Sequence, residues 1–269
     1  MKTDGTLLLK RSEIARLLSI DECIIAVERA FKMYGEGAVS PPGILGVHAP
    51  DGVCHIKAGI LEHGKSYFVA KMNANFPQNT SRFGLPTIQG VIILCDGENG
   101  SPIAIMDSIE ITIQRTGAAT AVAAKYLART DSKVVTICGC GNQGRIQLQS
   151  LLSVRQLKQA FVYDVDERQA RLLADEFSHK LSIEPVTKEN LAVCVKQSDI
   201  CVTCTPSRQY FLNRDDVAPG VFIAAVGADS EEKQEIDPTL FKSNKIVVDV
   251  LEQCATIGDL HHEIGRAHV

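Results

Sequence analysis

The run Val134-Val135-Thr136-Ile137-Cys138 is followed at once by Gly139-Cys140-Gly141-Asn142-Gln143-Gly144, and no other stretch limits the possible folds of this chain as tightly. An apolar strand running straight into G-x-G-x-x-G and then a helix gives each glycine a separate task. The first makes a tight turn, the second lets a pyrophosphate approach the backbone, and the third lets helix and strand pack closely. The start of the helix adds free N–H groups and the positive end of its dipole, which suit phosphate. A second strand, Ala160-Phe161-Val162-Tyr163, ends in Asp164, twenty residues after Gly144, where an acid can bind ribose hydroxyls. A carboxylate there repels a 2′-phosphate, so NAD is expected over NADP, with Arg168 close by as a moderating charge.

The flanking pattern agrees. Helices are expected after Gly144 and over 168–179, with strands at 134–138, 160–163, 200–203, 221–226 and 245–250, an alternation that favours a parallel doubly wound sheet. Upstream, Ser12 and Ser19 are candidate helix caps, and Ser19-Ile20-Asp21-Glu22 has capping-box spacing. The second helix should stop near Gly35 or Gly37. Residues 53–107 read as strands. Alternation places His55 and Lys57 opposite Cys54, Ile56, Ala58 and Ile60, and places Lys71, Asn73 and Asn75 opposite Phe68, Ala70, Met72, Ala74 and Phe76. The polar face is either a pocket wall or simply a face turned to solvent. From Ile109 to Arg129 an alanine-rich run without proline predicts a helix that packs closely through Gly117 and its alanines. The fold class is therefore α/β: a Rossmann doubly wound parallel sheet plus an N-terminal α+β domain. The expected limits are 1–128 for substrate binding and dimerisation and 129–262 for NAD.

Composition narrows the partners. A chain of 269 residues with 45% hydrophobic and 22% charged residues can bury two cores, and a net charge of -4 offers no basic stripe for nucleic acid. No stretch has the length of a membrane span, and Met1-Lys2-Thr3-Asp4-Gly5 does not open like a signal peptide. The expectation is a cytoplasmic protein without nucleic-acid or membrane partners. The nine cysteines lie in apolar runs and read as reduced thiols. Cys201-Val202-Thr203-Cys204 has half of a zinc-site spacing but no second pair, so no metal is expected.

Several segments together resemble the ornithine cyclodeaminase and mu-crystallin family, which includes alanine dehydrogenases and cyclic-imine reductases. They are Lys71 with Phe76-Pro77-Gln78-Asn79, Ile111-Thr112-Ile113-Gln114-Arg115-Thr116, Gly139 to Gly144 with Gln143, and Gly227-Ala228-Asp229 followed by Lys233-Gln234-Glu235-Ile236. The resemblance runs to about His262. It implies a homodimer with a Rossmann domain after a substrate-binding domain, and transfer of the Cα hydrogen of an amino acid to NAD as hydride. It also implies that Lys71 is the active-site lysine, Arg115 the carboxylate-binding arginine and Asp229 the catalytic carboxylate, the three meeting around one cleft. Thr116 and Thr205 join Gly139, Gly141, Asn142, Gln143, Gly144 and Asp164 as expected cofactor-binding residues.

Three departures matter. Where the family often has an arginine after a proline, this chain has Ser40-Pro41-Pro42-Gly43-Ile44. His55 stands where ornithine cyclodeaminase carries a glutamate, and Lys57 on the same face is a substitute positive charge. Residues 263–269 read as a non-native or truncated tail, and the chain as a fragment of a longer one. The expected function is NAD-dependent oxidation of a small L-amino acid or reduction of the corresponding imine, with Lys71, Arg115, Lys57 and His55 binding substrate. Ornithine cyclodeamination is the alternative within the scaffold. A non-catalytic, mu-crystallin-like binding protein is the alternative outside enzymology, against which Lys71, Arg115 and Asp229 argue.

Overall fold

In the computed structural model, which describes residues 5–264, the Ser19 hydroxyl accepts the Glu22 amide hydrogen and donates to the Glu22 carboxylate at 2.6 Å. This box starts α2 (Ile20–Gly35), and the left-handed Gly37 lies just beyond its end. Helix α1 (Arg11–Leu17) begins two residues earlier than a Ser12 cap requires. Glu13 takes the free amide of Lys10 at 2.9 Å and leaves Ser12 inside the first turn.

The chain forms two compact units, divided between Arg115 and Thr116. In the first, β1 (Leu7–Leu9), β2 (Gly43–Ala49), β3 (Gly52–His63), β4 (Lys65–Asn75), β5 (Ile88–Asp96) and β6 (Pro102–Asp107) form a mixed sheet in the order β1-β6-β5-β4-β3-β2. Only β1 is parallel to its neighbour. A short helix, α3 (Asn79–Phe83), follows β4, and α4 (Ile109–Leu127) follows β6 and contains the boundary between the units. The register pairs Lys57 with Lys71 and His55 with Asn73, so alternation places all four on one sheet face.

The second unit is a parallel sheet in the order β11-β10-β7-β8-β9. Its strands are β7 (Val134–Cys138), β8 (Gln159–Tyr163), β9 (Ser182–Pro185), β10 (Ile200–Thr203) and β11 (Phe222–Ala225), with α5 (Asn142–Val154), α6 (Glu167–Phe177) and α7 (Lys188–Lys196) between them. Both faces are covered. Val135 and Ile137 join one core with Leu148, Leu151 and Leu173, while Cys138 and Cys201 join another with Leu191 and Val195. Strand order reverses at β7, the switch point beyond whose carboxyl ends such sheets bind ligands. Gly117 lies tightly against α5, since a Cβ there would stand 2.5 Å from Ser150 Oγ.

Strands β1, β2 and β9 and helices α3 and α7 escape the sequence reading, and one expected element fails. Residues 245–250 form no strand: Ile246 and Val247 are exposed, and apolar composition without a ladder partner does not make a strand. Two further short helices, α8 (Leu251–Cys254) and α9 (His261–Ile264), close the described chain. Of the expected tail, residues 265–269 lie outside the described residues. Among the described residues no helix is long and apolar enough to cross a membrane.

Candidate active site

In the second unit the three loop glycines answer to different neighbours. Gly139 has φ +97°, and a Cβ on it would meet the Cys204 carbonyl at 2.8 Å. A Cβ on Gly144 would stand 1.9 Å from the Gly139 carbonyl, so the turn and α5 can close only on a bare Cα. Gly141 differs: its φ is −74°, and a Cβ there would enter open space. Nothing in the protein requires glycine at 141, but a phosphate seated against the backbone would. Gly141 is the N-cap of α5, and no side chain caps that end, leaving the first-turn amides of Asn142, Gln143 and Gly144 for an anion. These residues fit the pyrophosphate of a dinucleotide.

Asp164, directly after β8, accepts the Cys140 amide hydrogen at 2.7 Å and the Asp166 amide hydrogen at 2.9 Å. The ribose-binding candidate thus also pins the glycine loop to β8. The next residue, Val165, is 90% exposed, an apolar side chain presented beside that carboxylate. Sequence reasoning gave it no role, because alternation says nothing about a single residue after a strand. Cys140 is no nucleophile: burial and the Asp164 charge push its thiol up to about 12. The Cys204 thiol donates to the carbonyls of Cys138 and Gly139. Among the described residues no group of three or more His, Cys, Asp or Glu side chains could hold a metal ion.

A buried carboxylate clamp supports the ends of β10 and β11. Glu235, with no exposed surface, accepts from the Thr205 amide at 2.6 Å, the Thr205 hydroxyl at 2.7 Å and the Gly227 amide at 2.9 Å. Asp259 in turn accepts from the amides of Glu235 and Ile236. Burial raises the pKa of both acids. A Cβ on Gly227 would meet the Glu235 carboxyl carbon at 2.6 Å, so this turn needs glycine for the clamp to close. Asp229, two residues beyond Gly227 and exposed, is paired with Lys233. Sequence spacing cannot separate a buried Glu235 from a solvated one, and the clamp was invisible there.

In the first unit, Lys57 and Lys71 face each other across β3 and β4. Like charges directly opposite are unfavourable in a sheet. Lys71 Nζ donates to Thr112 Oγ1 at 2.7 Å. Burial first, then the charges of Arg115 and Lys57, lower the Lys71 pKa to about 8. His55 is exposed, its ring beside Gly46 on β2. Lys57, Lys71 and Arg115 therefore make one cationic cluster, with Thr112 accepting from Lys71, whereas Thr205, Asp229 and the glycine loop belong to the other unit.

The family model for the ornithine cyclodeaminase/mu-crystallin family matches residues 5–268. The chain belongs to that family. It is 36% identical over 268 residues to an alanine dehydrogenase of Archaeoglobus fulgidus, a match covering 97% of this chain and 79% of the relative. Among solved structures, an archaeal alanine dehydrogenase dimer with bound NAD superposes with a TM-score of 0.92 at 34% identity, covering 98% of this chain and 80% of the other. The Thermococcus litoralis Δ1-pyrroline-2-carboxylate reductase, in complex with NADH and L-proline, gives 0.87 at 32% identity, with 98% and 82% coverage. The family's named members are dehydrogenases, reductases and cyclodeaminases, and its fold is the α/β architecture described above.

Proposed function

We propose that this family member is an NAD-dependent oxidoreductase that oxidises a small L-amino acid at Cα or reduces the corresponding imine. The observation that carries the reading is the cationic cluster. Lys57 and Lys71 are held against each other across paired strands near Arg115, with no ion pair to either lysine among the described residues. Like charges so placed are unfavourable, more so with Lys71 part-buried beside the exposed Lys57, and an amino acid or imino acid brings a carboxylate to offset them. Arg115 and Lys71 hold that carboxylate, Asp229 exchanges the amine proton, and the glycine loop with Asp164 binds the dinucleotide, aided by Thr116 and Thr205. NAD, when bound, supplies the hydride acceptor at the nicotinamide. Residues 1–128 act as the substrate-binding and dimerisation domain and residues 129–262 as the NAD domain. The first test is initial-rate measurement of NADH formation across a panel of L-amino acids and of NADH consumption with cyclic imines.

Cofactor choice gives a separate test. Replacing Asp164 by Asn removes the charge that repels a 2′-phosphate while keeping an acceptor for the Cys140 amide. The ratio of NADP to NAD affinity should rise by about tenfold, the effect of roughly 1.4 kcal/mol. Titration of both nucleotides by fluorescence checks it, and an unmoved ratio would remove Asp164 from the ribose site.

We also read the protein as a homodimer working in the cytoplasm. All nine cysteines are free thiols, which suits a reducing compartment. The sheet face opposite Lys71 carries Leu8, Ile105 and Ile93 in register, and Leu45, Val47 and Ile60 lie on the same face; all six are exposed. A face of this kind is a candidate interface. Light scattering should give a dimeric mass, and Ile93→Glu combined with Ile105→Glu should give a folded monomer. A monomeric wild type at working concentration would contradict the assignment.

A further inference from the structure

Lys71 and Arg115 suffice for the α-carboxylate, so Lys57 beside them brings a cation beyond what that group needs. Among the described residues of the neighbouring strands and α4, acids are few. Strands β2 to β5 contain only two, Glu62 and Asp96. Asp96 is bound by Lys65 at 2.9 Å, and Glu62 pairs with Ser66 in register, which puts it on the opposite face. On α4 the single acid, Glu110, is bonded to Arg11. His55 lies two residues from Lys57 on the same face, about 7 Å along the strand. His48 on β2 also belongs to this face, opposite Val53. Apart from the Lys65–Asp96 pair at one end, the ionisable side chains of β2 to β5 on this face are therefore basic, and more so than one carboxylate requires.

We propose that the site takes an α-amino dicarboxylate, or the matching imino dicarboxylate, with the second carboxylate held by Lys57 and His55. The proposal rests on the reading of the chain as an amino-acid oxidoreductase and names its substrate class. A charge-assisted bond to Lys57 adds attraction, and the separation between the Lys57–Lys71 pair and His55 suits the two ends of a four- or five-carbon diacid. The same charges repel a substrate with a cationic side chain, because the distal amine would lie against Lys57 with no acid to receive it. The step balances as for any such substrate: the Cα hydrogen leaves with its electron pair to NAD, one amine proton goes to Asp229 or water, and the C–N bond becomes C=N. The reverse consumes NADH and a proton.

The experiment compares L-aspartate, L-glutamate, L-alanine and L-ornithine with wild type, Lys57→Met and Lys57→Arg. One of the two dicarboxylates should exceed alanine in kcat/KM by about tenfold or more, the scale of one hydrogen bond to a charged group. Lys57→Met should lose that advantage, costing the dicarboxylate more than alanine, and Lys57→Arg should restore it. Turnover of alanine without turnover of either diacid, or an equal loss on all substrates in Lys57→Met, overturns the proposal while leaving the oxidoreductase reading intact. Binding of succinate against propionate, followed by thermal shift with NADH present, separates the two claims. If no amino acid is oxidised but Lys57→Met abolishes a succinate-specific shift, the ligand class stands and the oxidoreductase reading falls. No turnover and no succinate preference removes both.

Discussion

Replacing Lys71 by Met should lower kcat/KM for the preferred amino acid by about 10- to 100-fold, the loss of one hydrogen bond to a charged group, and should make the folded protein more stable at neutral pH. Both effects follow from the same charge. The fold lowers the Lys71 pKa from 10.5 to about 8 by burial and by the cations Arg115 and Lys57. Between those two values the unfolded chain binds a proton that the folded chain has released. Stability from this group therefore rises with pH across that window, and its cost is fully present below about 8. Methionine keeps the stem and removes the cost. Substrate binding has the opposite sign, because a carboxylate needs the charged form and kcat/KM should fall as pH passes about 8. Lys71→Arg stays charged throughout and should abolish that fall while retaining part of the rate. The checks are pH–rate profiles and denaturant unfolding of the three proteins. A less stable Lys71→Met, or a fall near 8 that persists in Lys71→Arg, would contradict this account.

Loss of the Glu235 clamp should have the largest effect on stability. In Glu235→Leu the part-buried amide and hydroxyl of Thr205 lose their acceptor, and the Gly227 amide keeps only its bond to the Thr203 carbonyl at 3.2 Å, at about 1–3 kcal/mol for each unsatisfied group. Glu235→Gln should fare little better, since all three partners donate to the carboxylate and an amide nitrogen would face one of them. A decrease of about 2–6 kcal/mol in unfolding free energy is expected for either, with weaker NAD binding through the displaced Thr205. Denaturant unfolding that places both variants within about 1 kcal/mol of wild type, the size of an ordinary substitution, would show that the clamp does not hold these turns.

The nucleotide-binding half was legible because its signals are local. A buried strand, three glycines and an acid at fixed spacing sufficed to place Gly139, Gly141, Gly144 and Asp164, and the structure gives a separate packing reason for the first and third glycines. The alternation in β3 and β4 likewise put Lys57 and Lys71 each on the polar face of its strand. The in-register opposition of the two lysines stayed hidden, because register depends on turn length and on the partner strand. The residues 245–250 failed for a related reason, since their β-like composition meets no ladder. Glu235 and Asp259 were unreadable because a loop acid gives no sequence sign of burial. Val165 shows the opposite problem, an apolar residue whose exposure only the fold reveals.

The most direct test of the central claim uses an L-amino acid deuterated at Cα. With NAD present, the protein should form NADH at a rate slowed by the heavier isotope if hydride transfer limits turnover, and the deuterium should be recovered in the reduced nicotinamide of the product. Protein that binds NAD tightly yet moves no deuterium from any L-amino acid of the panel, and oxidises no NADH with the corresponding imines, would contradict the assignment of Lys71, Arg115 and Asp229 to an oxidoreductase site.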